Sequence, residues 1–338
     1  MNTMINRLPV LTWNKLGLNG EEINVKDITG TPAKNLIPEA IAAARREEFV
    51  AGKYPMVCDQ AFPSGMGKGM DDLLADAGLQ PEYIHVKKGE EATVILRFTE
   101  GSGTIASSVR VYLEEDAKLH LVSFQMLPKE CTFLNDVGVR LEAGASFKHT
   151  ELELGAGKVY AGAYYDQQGA RSTVESRLGY ICSKGMSIDH NHVDVFRGKK
   201  TEGLMRFYGV LLDDAEKTSR ETLDFRAGSK GAVGDEEEQM LVFGEDSKDR
   251  AVPMILGEEE DVSGRHAVNI GRLSADMLYY MGSRGISEDI ARQLMVRALI
   301  QRVSSHIPDD KLKEAASRYV DTLFCTRDDC SGCDQPVL

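Results

Sequence analysis

The sequence predicts a mainly β protein. A parallel β-helix forms its core, a helical and loop-rich segment precedes it, and a C-terminal helical domain follows. Three observations carry this expectation. Short runs of β-branched and apolar residues recur from about Tyr83 to Gly271, punctuated by Gly, Asp, Glu or Lys. Their alternation has period two, which marks half-buried strands, and no helical pattern separates them. Two phrases, VYLEEDAKL at 111–119 and VRLEAGASF at 139–147, read alike. Each is a strand, a tight polar corner and another strand, as one rung of a solenoid requires. Two meanders packed as a sandwich satisfy the alternation as well; the repeated phrase favours the solenoid.

Residues 1–82 form the N-terminal segment. Strong helix formers behind Pro38 predict a helix from Pro38 to Glu48. The glycines of Pro63–Gly69 predict a loop, and Met70–Ala77 a short helix. Residues 83–271 form the β-helix core, with strands such as Ala92–Phe98, Ser108–Leu113, Leu119–Phe124, Val137–Leu141 and Gly203–Leu212. Residues 272–324 form the helical domain. Leu273–Met281 is a short helix capped by Ser274. Ser287 caps a long helix whose Glu288 and Asp289 meet the positive end of its dipole. Its apolar positions, Ile290, Leu294 and Ala298 with Met295, Leu299 and Val303, follow helical spacing. A last helix begins at Pro308, and residues 325–338 are a cysteine-rich tail.

Composition narrows the function. The chain has 338 residues, 42% hydrophobic and 28% charged, as in globular proteins. The net charge of −13, with basic residues scattered, disfavours binding to nucleic acid or an anionic membrane. No apolar run approaches the roughly 20 residues of a membrane span. The first residues lack a secretory pattern, so a cytoplasmic location is expected.

Several enzyme motifs fail. Gly65–Gly69 lacks the spacing and the Ser or Thr of a phosphate loop. Gly101–Ala106 is followed by a strand where a dinucleotide fold needs a helix. His190 and His192 share one face of a strand, as metal ligands do, but no glutamate follows where a cupin-type site needs one. Exposed strand histidines are the simpler reading. Glu258, Glu259 and Glu260, followed by His266, offer carboxylates and an imidazole able to hold iron; with Asp261 they make four acids in a row, which also form an ordinary solvated turn.

The strongest chemical signal is Cys325, Cys330 and Cys333, three of six cysteines within nine residues. Cys58, Cys131 and Cys182 are scattered and read as structural. Thiolates bind zinc or iron–sulfur clusters, and Cys-x2-Cys lets two sulfurs reach one centre. Three sulfurs leave a fourth position to another donor.

Gly209–Thr218, Glu238–Leu241, Asp261–Arg272 and above all Leu278–Arg292 resemble the SufB/SufD family of iron–sulfur cluster assembly scaffolds. The similarity runs from about residue 100 to 323 and is densest at 203–300. It implies a right-handed parallel β-helix, a SufC-type ABC ATPase docked on the C-terminal helices, and pairing of two core subunits along the β-helix edge. His266 matches the family histidine near that interface. There are departures. Gly257 stands where SufB-type chains carry an acceptor cysteine, with Glu258, Glu259 and Glu260 as the nearest candidates. Ala267 stands where SufB has an acid, and the tail cysteines are not a general family feature.

The expected function is therefore a non-enzymatic scaffold. It works as a homodimer or with a paralogous SufB/SufD-type subunit. It builds a labile 2Fe–2S or 4Fe–4S cluster on Cys325, Cys330 and Cys333, helped by His266 and Glu258–Glu260, for transfer to apo-proteins. One rival is a metal-dependent β-helix or cupin-like enzyme acting on a sugar or small metabolite through His190 and His192. The single tryptophan, Trp13, lies outside the strand region and argues against a carbohydrate groove. Another rival is a zinc protein with a structural tail.

Overall fold

The computed structural model describes residues 2–11, 14–26, 28–30, 45–48, 63–272 and 274–324. Four short strands come first: β1 (Thr3–Ile5), β2 (Glu21–Ile23), β3 (Ile28–Gly30) and β4 (Arg45–Glu48). Helix α1 (Lys68–Asp76) follows. The core strands are β5 (Glu82–Val86), β6 (Glu91–Phe98), β7 (Thr104–Leu113), β8 (Lys118–Gln125), β9 (Thr132–Leu141), β10 (Ser146–Glu153) and β11 (Lys158–Gln167). They continue as β12 (Thr173–Cys182), β13 (Ser187–Phe196), β14 (Glu202–Leu211), β15 (Glu216–Phe225), β16 (Val233–Val242), β17 (Lys248–Gly257) and β18 (Ser263–Gly271). Helices α2 (Ala275–Ser283), α3 (Glu288–Ser304) and α4 (Asp310–Leu323) complete the order. No described helix is long and apolar enough to cross a membrane.

From β5 to β18 each strand pairs in parallel with the strand two ahead of it. Odd strands make one sheet and even strands the other, giving a solenoid of about seven turns. A sandwich of meanders would instead pair neighbours antiparallel. The two similar phrases are successive rungs: Val111 partners Val139, Leu113 partners Leu141 and Leu119 partners Phe147. The corners stack too. Gly89, Asp116 and Gly144 all have positive φ, and each donates its N–H to a carbonyl of the next corner.

Alternate side chains point inward and form ladders along the axis. Phe196 and Phe225 stack with ring centroids 4.5 Å apart. Facing them, Gly203, Gly234 and Gly264 fall in register. A Cβ at Gly203 would stand 2.7 Å from the Phe196 ring, so glycine makes room for the aromatic ladder. Fully burying a phenylalanine contributes roughly 1.5–3 kcal/mol.

The outer face of the even sheet is apolar. Phe124, Leu152, Ile181 and Val210 pack against Leu299, Ile300 and Val303 of α3 and Leu312 and Val320 of α4. Ser274 and Ser287 cap α2 and α3 as expected, accepting the N–H groups of Met277 and Ile290. The buried stripe of α3 is Ala291, Val296, Leu299, Ile300 and Val303, whereas Ile290 and Leu294 are exposed. Its helical spacing was legible; which face meets the sheet depends on where α3 crosses it.

The N-terminal segment covers the odd sheet. Asn6 donates to the Ala161 carbonyl and to Asp189, and Asp136 accepts from Ser64 and the Met66 N–H. Gly65 lies so close to Gly162 that neither tolerates a Cβ. Helix α1 matches the expected Met70–Ala77 helix within two residues. Arg45–Glu48, expected at the end of a helix, is instead strand β4, antiparallel to β5. A sheet edge offers unpaired backbone groups, and that pairing overrides helix propensity. The rest of Pro38–Glu48 and Cys58 lie outside the described residues.

At the other end, β17 and β18 are the last strands of the two sheets. Ile255, Val268 and Ile270, which continue the inward ladders, are exposed there. Among the described residues nothing caps this end.

Candidate functional site

The expected site residues fall in four places. Glu258, Glu259 and Glu260 form the turn between β17 and β18. Glu258 pairs with Arg226 at 3.1 Å, and Glu259 accepts the Gly228 N–H at 3.2 Å. The turn thus seals the preceding corner. His266 lies within β18, exposed, and among the described residues no hydrogen bond or ion pair joins it to that turn. Cys325, Cys330 and Cys333 lie outside the described residues.

His190 and His192 correct the exposed-histidine reading. Both are 1% exposed and point into the solenoid. His190 Nε2 meets Glu153 at 2.7 Å, and His192 Nε2 lies 3.5 Å from Glu151. Period two correctly put both imidazoles on one face, but that face is the interior.

These pairs belong to a polar file along the solenoid axis. At one end Asn135 donates to Glu151, and Tyr165 bonds both His149 and Ser176. The His190 and His192 rings lie 6.0 Å apart, and Tyr180 meets His190 edge-on at 5.2 Å. Tyr180 donates to Glu238 at 3.0 Å. Lys217 Nζ, completely buried, holds Glu238 at 2.5 Å and Asp249 at 3.1 Å. The file thus reaches the last rungs beside the open end. There Glu236 is in register with His266.

Burial controls the chemistry of the file. It takes His149 and His190 down to about 4, so both imidazoles are neutral at pH 7. Burial works against the Glu151 carboxylate too, but His192 and the imidazoles of His149 and His190 hold it down at about 2. Burial and the Glu151 charge push Glu153 well above the ordinary range. Toward the open end, burial and then the neighbouring acids raise Glu221 to about 7 and Glu236 to about 9. Cys182, an inward thiol on β12, is pushed by burial to about 12 and is no nucleophile. Among the described residues no three Asp, Glu, His or Cys side chains are gathered into a metal-holding group.

Sequence reasoning missed Glu151, Glu153, Lys217, Glu236 and Glu238. A signal was present: His149, Glu151 and Glu153, and again Glu236 and Glu238, alternate with period two inside strands. In a solenoid, one face of each strand is interior.

Comparison with known proteins bears on the whole arrangement. The family model for the SUF system FeS cluster assembly, SufBD core domain, matches residues 76–299. The iron–sulfur cluster assembly protein SufD of Bacillus subtilis is 30% identical over 117 residues, 35% of this chain and 27% of its own length. A SufBD family iron–sulfur cluster assembly protein of Pyrococcus horikoshii is 23% identical over 225 residues, 67% of this chain and 49% of its own. One from Mycobacterium leprae is 26% identical over 251 residues, 68% of this chain and 61% of its own. The chain therefore spans from about a quarter to three fifths of the length of these relatives.

Proposed function

The chain belongs to the SufBD family of iron–sulfur cluster assembly proteins, and from that membership we propose that it is a non-enzymatic scaffold subunit working in the cytoplasm. The observation that carries the partner assignment is an exposed apolar surface on α2 and the start of α3. Met277, Tyr279, Tyr280, Ile290 and Leu294 all face outward there, Tyr279 with 82% of its surface exposed. A clustered apolar surface of this kind on an otherwise polar exterior marks a protein interface. Its occupant is a SufC-type ABC ATPase docked on the unit formed by residues 272–324.

The uncapped end formed by β17 and β18 pairs with a second copy or a paralogous subunit, since open strand edges invite pairing. Cys325, Cys330 and Cys333 hold a labile cluster, helped by His266 and Glu258–Glu260, for transfer to apo-proteins. Three thiolates form an incomplete set, which favours release over permanent retention.

The test uses surface substitutions, because removing α3 and α4 would strip the cover from the apolar outer face of the even sheet. Tyr279→Asp with Leu294→Asp should abolish co-purification of a co-expressed SufC-type ATPase while far-UV circular dichroism stays unchanged. Undiminished capture refutes the docking assignment.

A further inference from the structure

Helices α3 and α4 pack against each other and against the even sheet through apolar side chains, but they do not close completely. Between them lies a cleft of about 470 Å³, within the roughly 300–1,000 Å³ of small-molecule sites. Arg297, Ile300 and Ser304 line it from α3, and Lys313, Ser317 and Val320 from α4. Spacings of three and four residues place each trio on one helix face. Large side chains at such positions normally interdigitate and fill the space between two helices. The serines at 304 and 317 are too short to do so, which leaves the cleft. Ile300 and Val320 are buried and give it an apolar floor, and Ser304 is buried beside them.

Two cations and, among the described residues, no acid line the cleft, on a chain whose net charge is −13. Asp321 fixes the Arg297 guanidinium and also accepts from Gln293 at 2.9 Å. The Arg297 Nε is shut off from water yet has no hydrogen-bond partner. A buried donor without an acceptor is costly, and here the missing partner is an anion or its equivalent. Lys313 pairs with Asp310 at 2.9 Å, but this contact is three residues apart on one helix and solvent-exposed, so it holds the ammonium only weakly. Both cations are available to a ligand in the cleft.

We propose that the α3–α4 cleft binds a small organic phosphate. A planar guanidinium and an ammonium, with serine hydroxyls as neutral donors, match a tetrahedral dianion rich in acceptors. The carbon portion of the ligand rests on Ile300 and Val320. A ligand so placed bridges the two helices and stabilises the folded chain by mass action. The site depends neither on the scaffold reading nor on the tail cysteines.

The test uses the full chain in phosphate-free buffer, with phenyl phosphate as the probe and isothermal titration calorimetry as the readout. One site per chain is expected, with a dissociation constant below about 1 mM and a melting temperature that rises with probe concentration. Ser317→Leu, which fills the cleft with an apolar side chain, should abolish binding while far-UV circular dichroism stays unchanged. Lys313→Gln, at a part-exposed position that does not threaten folding, should weaken binding at least tenfold. Benzoate, which keeps the ring and offers a carboxylate, should bind at least tenfold more weakly than phenyl phosphate. Failure of phenyl phosphate to saturate the chain, or an affinity unchanged in both variants, overturns the site and leaves a solvated groove between the helices. Equal affinity for benzoate overturns the phosphate assignment.

Discussion

Replacing Lys217 with methionine removes the buried ammonium that answers Glu238 and Asp249 in the last rungs. The side chain is completely buried and forms ion pairs with Glu238 at 2.5 Å and Asp249 at 3.1 Å. Burial works against the charged amine, but Glu238, Glu221 and Asp249 more than offset it and raise its pKa. Methionine fills similar volume, so the loss is electrostatic. Removing one partner of a buried ion pair costs about 3–5 kcal/mol, because the other charge stays behind unpaired. Against a typical total of about 5–15 kcal/mol this is a large fraction. Urea unfolding followed by far-UV circular dichroism should show the midpoint falling with an unchanged slope. Adding Glu238→Gln to Lys217→Met should recover part of the loss, because the stranded carboxylate is then gone. A single-variant loss below about 1 kcal/mol would refute the claim that the pair is desolvated.

Five further outcomes can be measured. His149 sits near 4 when folded, below its ordinary 6.5, so the unfolded chain binds more protons between those values. Its contribution is therefore present above pH 6.5 and lost as pH falls toward 4, and His149→Gln should flatten that limb of the stability–pH curve. Asp194, raised by burial to about 8, has the opposite sign: its contribution is present below its ordinary value of 3.8 and lost as pH climbs through 8, and Asp194→Asn should flatten that limb. A Cβ on Gly209 would stand 2.3–2.4 Å from Tyr180 and Met240, so Gly209→Ala should cost about 1–3 kcal/mol in a thermal melt. Replacing Cys325, Cys330 and Cys333 with serine should abolish visible absorbance and iron after anaerobic reconstitution; a retained cluster refutes the tail as its site. Light scattering should report a dimer, and Val268→Asp with Ile270→Asp should yield monomers; a wild-type chain that stays monomeric beside the ATPase counts against self-pairing.

Much of the architecture was written locally. The strand–corner–strand phrases at 111–119 and 139–147 repeat because parallel in-register ladders place like residues on like. Ser274 and Ser287 announce their helices because a cap is satisfied within one turn of chain. The extent of the strand region, ending at Gly271, also follows from a pattern that needs only neighbours to be seen.

The face a strand buries is a different matter. Asp235-Glu-Glu-Glu-Gln239 is an unbroken acidic run, yet Glu236 and Glu238 are inside while Glu237 is not. His190 and His192 are equally polar in sequence, and only the arrival of Glu151 and Glu153 from β10 makes their burial tolerable. Arg45–Glu48 has helical propensity but lies beside an open β5 edge that claims its backbone. Period two is a property of the chain and was legible in it. Which of the two faces is closed off from water, and which charges meet there, arises from contacts between residues far apart in sequence. Only the coiling of the solenoid brings those together.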